Sequence, residues 1–321
     1  MSAQETLSIF GAGTMGHSIA VSAAWVGNAV KVWGNDSEDI HRAQNGVREK
    51  LTVLRRYEAI RAEDEAKILS NIQFSLSKKD VLEGATFVIE AIPEILSLKQ
   101  EFFKELDAVC SRNVILASNT SGLSPTQIAK FTNHPERTVV THFWNPAHLI
   151  PLVEVVRGQH TSDATVERSL TLLLSMNKKP IVVKKDVLGS VGNRLQYALF
   201  REAQYIYEQG VASIADIDAA VQYSLGRRLP VTGPFLTADM GGLDVFHSIS
   251  HYLFPDLSTA QSSLDEMKHL VDNGNYGQKT GKGFYEWSLE FSERMNQERE
   301  RELINWLKRD MQMSDESKGN S

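Results

Sequence analysis

The chain has 321 residues, 42% hydrophobic and 23% charged, with one cysteine and a net charge of −6. That length accommodates two domains with separate cores, and a single cysteine, Cys110, excludes an internal disulfide framework and a multi-cysteine zinc site. The acidic balance argues against nucleic acid, whose phosphates need a concentrated basic face, and no apolar run reaches the length of a membrane span. With no basic, then apolar leader in "MSAQETLSIF", the expectation is a cytoplasmic protein without a metal centre and without membrane or nucleic-acid partners.

In chain order, "TLSIF" predicts a strand, residues 14–26 a helix and "AVKVW" a strand. Residues 37–57 predict a long helix, with Ile40, Val47, Leu51 and Leu54 at helical spacing. The β-rich runs "FVIEAI", "NVILASN", "TVVTHF", "PLVEVV" and "PIVVKK" follow, with helical patterns over 97–110 and 162–176. Strands alternating with helices predict an α/β domain with a mostly parallel sheet. After Asp186 the pattern changes to consecutive helices over 190–275. The organisation expected is a domain over 1–187, an all-helical one over 188–287, and a charged tail over 288–321, an exposed helix with a frayed end from Ser314.

Between the first strand and the first helix lies "FGAGTMGHSIA", with Gly11, Gly13 and Gly16 at the spacing G-x-G-x-x-G. Gly11 would allow a tight turn, Gly13 a close approach of the backbone to a pyrophosphate, and Gly16 close packing of the helix on the sheet. The helix N-terminus would then face phosphates with unpaired amides. This setting predicts a dinucleotide site in a Rossmann-type domain; the alternative is a purely structural turn. The second strand ends "VWGND", so Asn35 and a slightly late Asp36 stand where an acidic ribose contact belongs, though Asp36 suits a helix N-cap equally well. No basic residue follows at once to take a 2′-phosphate, which favours NAD over NADP.

Farther along, "SNTSGL", "THFWNPAHLIPLVEVV" and "GNRLQYALFREA" supply a hydroxyl (Ser121), an imidazole (His142), a carboxylate (Glu154) and an amide (Asn193). Alone, each has a structural reading as a cap, a core histidine or a solvated edge residue. In this order behind a dinucleotide motif they describe a dehydrogenase site. An imidazole titrates in the range needed to accept a proton from an alcohol as hydride leaves its carbon, and a carboxylate on the other ring nitrogen fixes the tautomer.

From about residue 6 to 287 the chain resembles the 3-hydroxyacyl-CoA dehydrogenase family, through "GAGTMG", "EAIPEILSLK", "SNTS", "HFWNP", "LVEV", "NRL", "EQGVASIADID" and "KTGKGFYEW". The resemblance implies NAD-dependent oxidation of the 3-hydroxyl of an L-3-hydroxyacyl group, a CoA thioester, with a place in fatty acid metabolism. It makes His142 the catalytic base, Glu154 its partner, and Ser121 and Asn193 the groups that position substrate and imidazole. Thr14, Met15, Asn119, Glu94 and Lys99 join the glycines, Asn35 and Asp36 in the cofactor set, and Asn145 joins the substrate set. "NPAHLIPLVEVV" and "NRLQYALFREA" are also similar to relatives that oxidise CoA-free hydroxy acids, the L-carnitine and L-gulonate dehydrogenases; the further alternative is a catalytically silent, crystallin-like structural relative, against which the intact His142, Glu154, Ser121 and Asn193 argue. "VLGSVGNRL" departs from the usual proline-containing approach to the asparagine, which bears on the acyl pocket.

The resemblance places a CoA nucleotide beside residues 42–79, where nine basic residues, among them Arg55 and Arg56, stand against five acidic ones. A solvated charged helix is the other reading of that stretch. For a trimethylammonium substrate, Phe143 and Trp144 beside His142 would offer aromatic faces, though aromatics at such positions more often belong to the core. The resemblance also implies a homodimer through the helical domain.

Overall fold

The computed structural model describes residues 5–319, and the chain divides into two compact units, one of residues 1–191 with 297–321 and the other of residues 192–296. The segment expected as a separate tail therefore joins the first unit from residue 297.

The first unit is built on β1 (Thr6–Phe10), α1 (Thr14–Trp25), β2 (Ala29–Trp33), α2 (Ser37–Arg56), α3 (Ala62–Ser70), β3 (Ile72–Ser75), α4 (Lys78–Leu82), β4 (Phe87–Glu90), α5 (Leu96–Val109), β5 (Ile115–Ser118), α6 (Pro125–Ile128), β6 (Thr138–Phe143), β7 (Leu152–Val156), α7 (Asp163–Ser175) and β8 (Lys179–Val183). The strands form one sheet in the order β3-β2-β1-β4-β5-β6-β7-β8. Every adjacent pair is parallel except β6 and β7. The strand β3 is absent from the sequence expectation because it is a four-residue edge strand with only Ile72 buried, too short to show a periodicity.

Pleating sends successive side chains of β1 to opposite faces. Leu7 and Ile9 join a core with Ile19, Val21, Leu51, Leu54 and Val166, while Phe10 joins a second core with Val81, Phe102, Phe103 and Ile128. Helices thus cover both faces of the sheet, and its strand ends are held rigidly. The order reverses between β1 and β4, and in such sheets ligands bind in the crevice at the carboxyl ends of the strands at that point.

The second unit contains α8 (Gly192–Glu208), α9 (Ile214–Ala220), α10 (Gly226–Arg228), α11 (Pro234–Gly241), α12 (Leu243–Leu253) and α13 (Asp265–Asp272). Among its described residues α8 to α12 contain none that is buried. The last helix, α14 (Leu289–Gly319), contributes Ile304 and Leu307 to the core of the first unit, and Lys308 Nζ donates to the Tyr57 carbonyl at 3.0 Å. The expectation of an exposed tail helix is corrected there, since Ile304 is fully buried: its apolar side chains meet an apolar strip of the first unit. Of the expected frayed end, residues 320 and 321 lie outside the described residues. Among the described residues no helix is long and apolar enough to cross a membrane, and no cluster of ligating side chains could hold a metal ion.

Candidate active site

The glycine turn sits at the β1/β4 crevice. Gly11 has φ +113°, and a side chain there would lie 2.4 Å from the Ala91 carbonyl oxygen; one at Gly16 would lie 1.7 Å from the Gly11 carbonyl oxygen. Both glycines are demanded by packing. Gly13 differs, because a Cβ there would meet no protein atom within 4 Å. It also begins α1 without a side-chain cap, and no acidic residue lies in the first turn. An open glycine before uncapped amides fits a phosphate-bearing cofactor better than it fits a structural turn. Thr14 is exposed at this turn, while Met15 packs against the core. Asp36 caps α2, accepting from the Asp39 amide at 2.8 Å, and that hydrogen bond holds its pKa below the usual carboxylate range although the side chain is exposed. The Asn35 amide donates to Asp39 Oδ2 at 3.1 Å.

The loops after β4 and β5 are joined by side chains. Glu94 accepts from the Thr120 hydroxyl and from the Ser121 amide, the latter at 3.1 Å, and pairs with Lys99 at 3.3 Å. Partial burial works against the Glu94 carboxylate, but the Thr120 and Lys99 contacts outweigh it and lower its pKa. Lys99 is only 1% exposed, so it lies behind Glu94 rather than at the surface of the crevice. Asn119 Oδ1 accepts from the Phe143 amide at 2.9 Å, tying the β5 loop to the strand that carries His142.

His142 and Glu154 are directly opposed partners of the antiparallel β6/β7 pair, which brings side chains on one face together. His142 Nδ1 lies 2.8 Å from Glu154 Oε2, and Glu154, fully buried, accepts the Val191 amide on Oε1 at 2.9 Å. A carboxylate so placed accepts a hydrogen bond from Nδ1–H and thereby holds the tautomer in which Nε2 carries the free lone pair. The Trp144 ring stands 5.4 Å from the imidazole, and its buried Nε1 has no hydrogen-bond partner among the described residues.

The first unit thus brings Gly11, Gly13, Glu94, Asn119, Ser121, His142 and Glu154 to the carboxyl ends of β1, β4, β5 and β6 and the facing strand β7. Asn193 belongs to the second unit, at the start of α8, and Asn145 is exposed in the turn after β6. Of the two readings of Phe143 the structure takes the core one: the side chain is 1% exposed and lies in the core, on the side of the strand opposite His142. Arg55 pairs with Glu65 at 3.2 Å. Glu300 of α14, its pKa raised by burial, faces Arg56 and Lys50. Sequence reading missed the buried polar residues beneath this surface, Glu90, Ser118, His148 and Lys178. Only the unusual placement of charge at strand ends within apolar runs, as in "FVIEAI", could have signalled them.

The 3-hydroxyacyl-CoA dehydrogenase NAD binding domain matches residues 6–187, and the C-terminal domain of the same family matches residues 189–287. The chain is 34% identical over 298 residues to 5-formyl-3-hydroxy-2-methylpyridine 4-carboxylate 5-dehydrogenase of Mesorhizobium japonicum, covering 93% of this chain and 96% of that protein. It is 34% identical to 3-hydroxybutyryl-CoA dehydrogenase of Clostridioides difficile over 88% of this chain and 99% of that one. Among solved structures, that of the 5-formyl-3-hydroxy-2-methylpyridine 4-carboxylic acid 5-dehydrogenase, described as an NAD+ dependent dismutase, superposes with a TM-score of 0.89 at 32% identity over 96% of this chain and 99% of that chain. The (S)-3-hydroxybutyryl-CoA dehydrogenase of Ralstonia eutropha gives 0.73 at 34% identity over 89% and 100%. The glycine turn, the histidine and carboxylate pair and both matched domains agree: the chain belongs to the 3-hydroxyacyl-CoA dehydrogenase family of NAD-dependent oxidoreductases acting on CH–OH groups.

Proposed function

We propose that the protein oxidises the hydroxyl of a small CoA-free hydroxy acid, with His142 Nε2 as general base and Glu154 holding the ring and stabilising the imidazolium. Ser121, fixed at its amide by Glu94, would donate to the oxygen on which charge changes. Asn193 keeps the positioning role that its sequence match implies. NAD supplies the hydride acceptor, and Gly11, Gly13, Gly16 and the amides of α1 would hold its pyrophosphate.

The observation that carries the substrate reading is the seating of α14 on the first unit, where Ile304 and Leu307 enter the core and Lys308 Nζ donates to the Tyr57 carbonyl, just after α2, at 3.0 Å. Arg55, one of the two residues expected to take CoA phosphates, pairs with Glu65 at 3.2 Å, and the carboxylate of the α14 residue Glu300 adds negative charge in the neighbourhood of Arg56. The helix also lies beyond residue 287, where the family's C-terminal domain ends, and the relative that covers 96% of this chain is named for a pyridine carboxylate without CoA. The second reading, an acyl-CoA substrate, draws on the relatives named for such substrates. Formation of NADH from free 3-hydroxybutyrate, L-carnitine, L-gulonate and 3-hydroxybutyryl-CoA tests the choice. Turnover of one or more free acids is expected; a kcat/KM for the CoA thioester above that for every free acid would overturn it.

A homodimer is part of this proposal. The second unit exposes Phe235 at 87%, Met240 at 75% and Tyr252 at 68%, an apolar surface of the kind that a second copy covers. The lone cysteine supports the cytoplasm as the compartment.

A further inference from the structure

The ends of β4 and β5 hold a charge arrangement that the general base does not use. Glu90 is fully buried and Lys99 nearly so. A lysine has three N–H donors, and Lys99 directs them at Glu90 Oε1 (2.5 Å), the Ile92 carbonyl (3.2 Å) and Glu94 Oε2 (3.3 Å). Glu90 also accepts the Ile92 amide at 2.8 Å and the Ser118 hydroxyl at 2.6 Å. Burial pushes the Glu90 pKa up, yet every one of these neighbours donates to its oxygens, so the geometry favours the carboxylate. Two carboxylates thus share one ammonium and leave one net negative charge, which Glu94, 44% exposed, carries to the surface.

The half-exposed Glu94 carboxylate is only partly neutralised by the shared ammonium, so a cation placed beside it would be favoured. The Ala91 peptide between Glu90 and Glu94 abuts Gly11 at the cofactor crevice. From the pyrophosphate position at α1, one half of the dinucleotide must lie toward β2 and the other toward β5 and β6, where His142 stands. Glu94 is on the second side. The nicotinamide ring carries a positive charge when oxidised and none when reduced. We propose that Glu90, Lys99 and Glu94 act as one charge unit that favours the oxidised over the reduced dinucleotide, with Glu94 presenting the charge and Lys99 as a positioning residue behind it.

The experiment is a pair of binding titrations on the full chain without substrate, NAD+ by calorimetry and NADH by fluorescence. Glu94→Gln removes the charge from a half-exposed side chain and should raise the Kd for NAD+ roughly fivefold or more while moving that for NADH less than about twofold. A loop held in place for structural reasons alone would shift both constants together, so equal changes, or none, would overturn the proposal. Lys99→Met leaves two carboxylates that must share a proton, and its NAD+ affinity should become dependent on pH between about 5 and 8. NAD+ binding that stays flat in that range in a folded Lys99→Met protein would also overturn it; if that variant does not fold, Glu94→Gln decides alone. Neither titration involves substrate, so the outcome is independent of which hydroxy acid is oxidised.

Discussion

The two units bury their apolar side chains differently. In the first, Leu7, Ile9, Phe10, Leu51 and Phe103 are fully inaccessible, and charged groups are admitted only with partners, as Arg137 is with Asp107 at 2.7 Å. In the second, α8, α11 and α12 carry many apolar side chains, yet α8 to α12 contain no buried residue among those described. A sheet covered on both faces makes its own core and can hold side chains at its strand ends to within the tolerance chemistry needs. The difference teaches that the sheet unit can seat polar strand-end groups on a core of its own, whereas the helical unit leaves large apolar side chains such as Phe235 and Tyr252 exposed.

The largest effect should come from the strand-end pair. His142→Gln removes the proton acceptor and should lower turnover by roughly 10²-fold or more, with NAD binding little changed. Glu154→Gln should also lower it, and the double variant should be scarcely slower than His142→Gln. Steady-state rates of the three variants check this; multiplicative losses would mean that Glu154 acts independently of His142.

A smaller effect is expected in the helical unit. Phe235→Asp with Tyr252→Asp should shift the protein from dimer to monomer in sedimentation velocity while leaving NAD affinity within about twofold, because the cofactor turn belongs to the first unit. A wild-type protein that is already monomeric would break the contrast drawn between the units.

The smallest effect concerns the dryness of the first core. Lys178 is 5% exposed, donates to the Ala147 and Ile150 carbonyls at 2.5 and 3.2 Å, and is brought down by burial from 10.5 to about 7. Between those values the unfolded chain binds the proton and the folded chain does not, so stability should rise with pH, by at most about 1.4 kcal/mol per unit. Lys178→Met should flatten that rise in denaturant midpoints measured at about pH 7, 8 and 9. Equal slopes in the two proteins would mean that Lys178 keeps its proton in the fold.

Much of this was legible in sequence because it depends on local pattern. The alternating runs predicted β1, β2 and the strands from β4 to β8, and the helical period of Ile40, Val47, Leu51 and Leu54 predicted α2. The glycine spacing marked the turn, and the order of "SNTS", "HFWNP" and "LVEV" marked the candidate site residues. The edge strand β3 and the burial of Phe143 were not legible, since both depend on what lies across the sheet. So does the ambiguity at Asp36, which the structure uses as an N-cap.

By itself, then, the sequence determined the αβ alternation, the change to helices after Asp186 and the residue types available for hydride transfer, because backbone propensity, hydrophobic period and glycine geometry are local properties. Only the tertiary structure decided that Glu154 would lie opposite His142, that Lys99 would be shared by Glu90 and Glu94, and that α14 would turn its Glu300 toward Arg56 and Lys50. Those pairings join residues on different strands, helices and loops. Strand order and burial bring them within reach, and burial gives each charge its partner, because an ion removed from water is tolerated only where an opposite charge or a converging set of hydrogen bonds replaces the solvent.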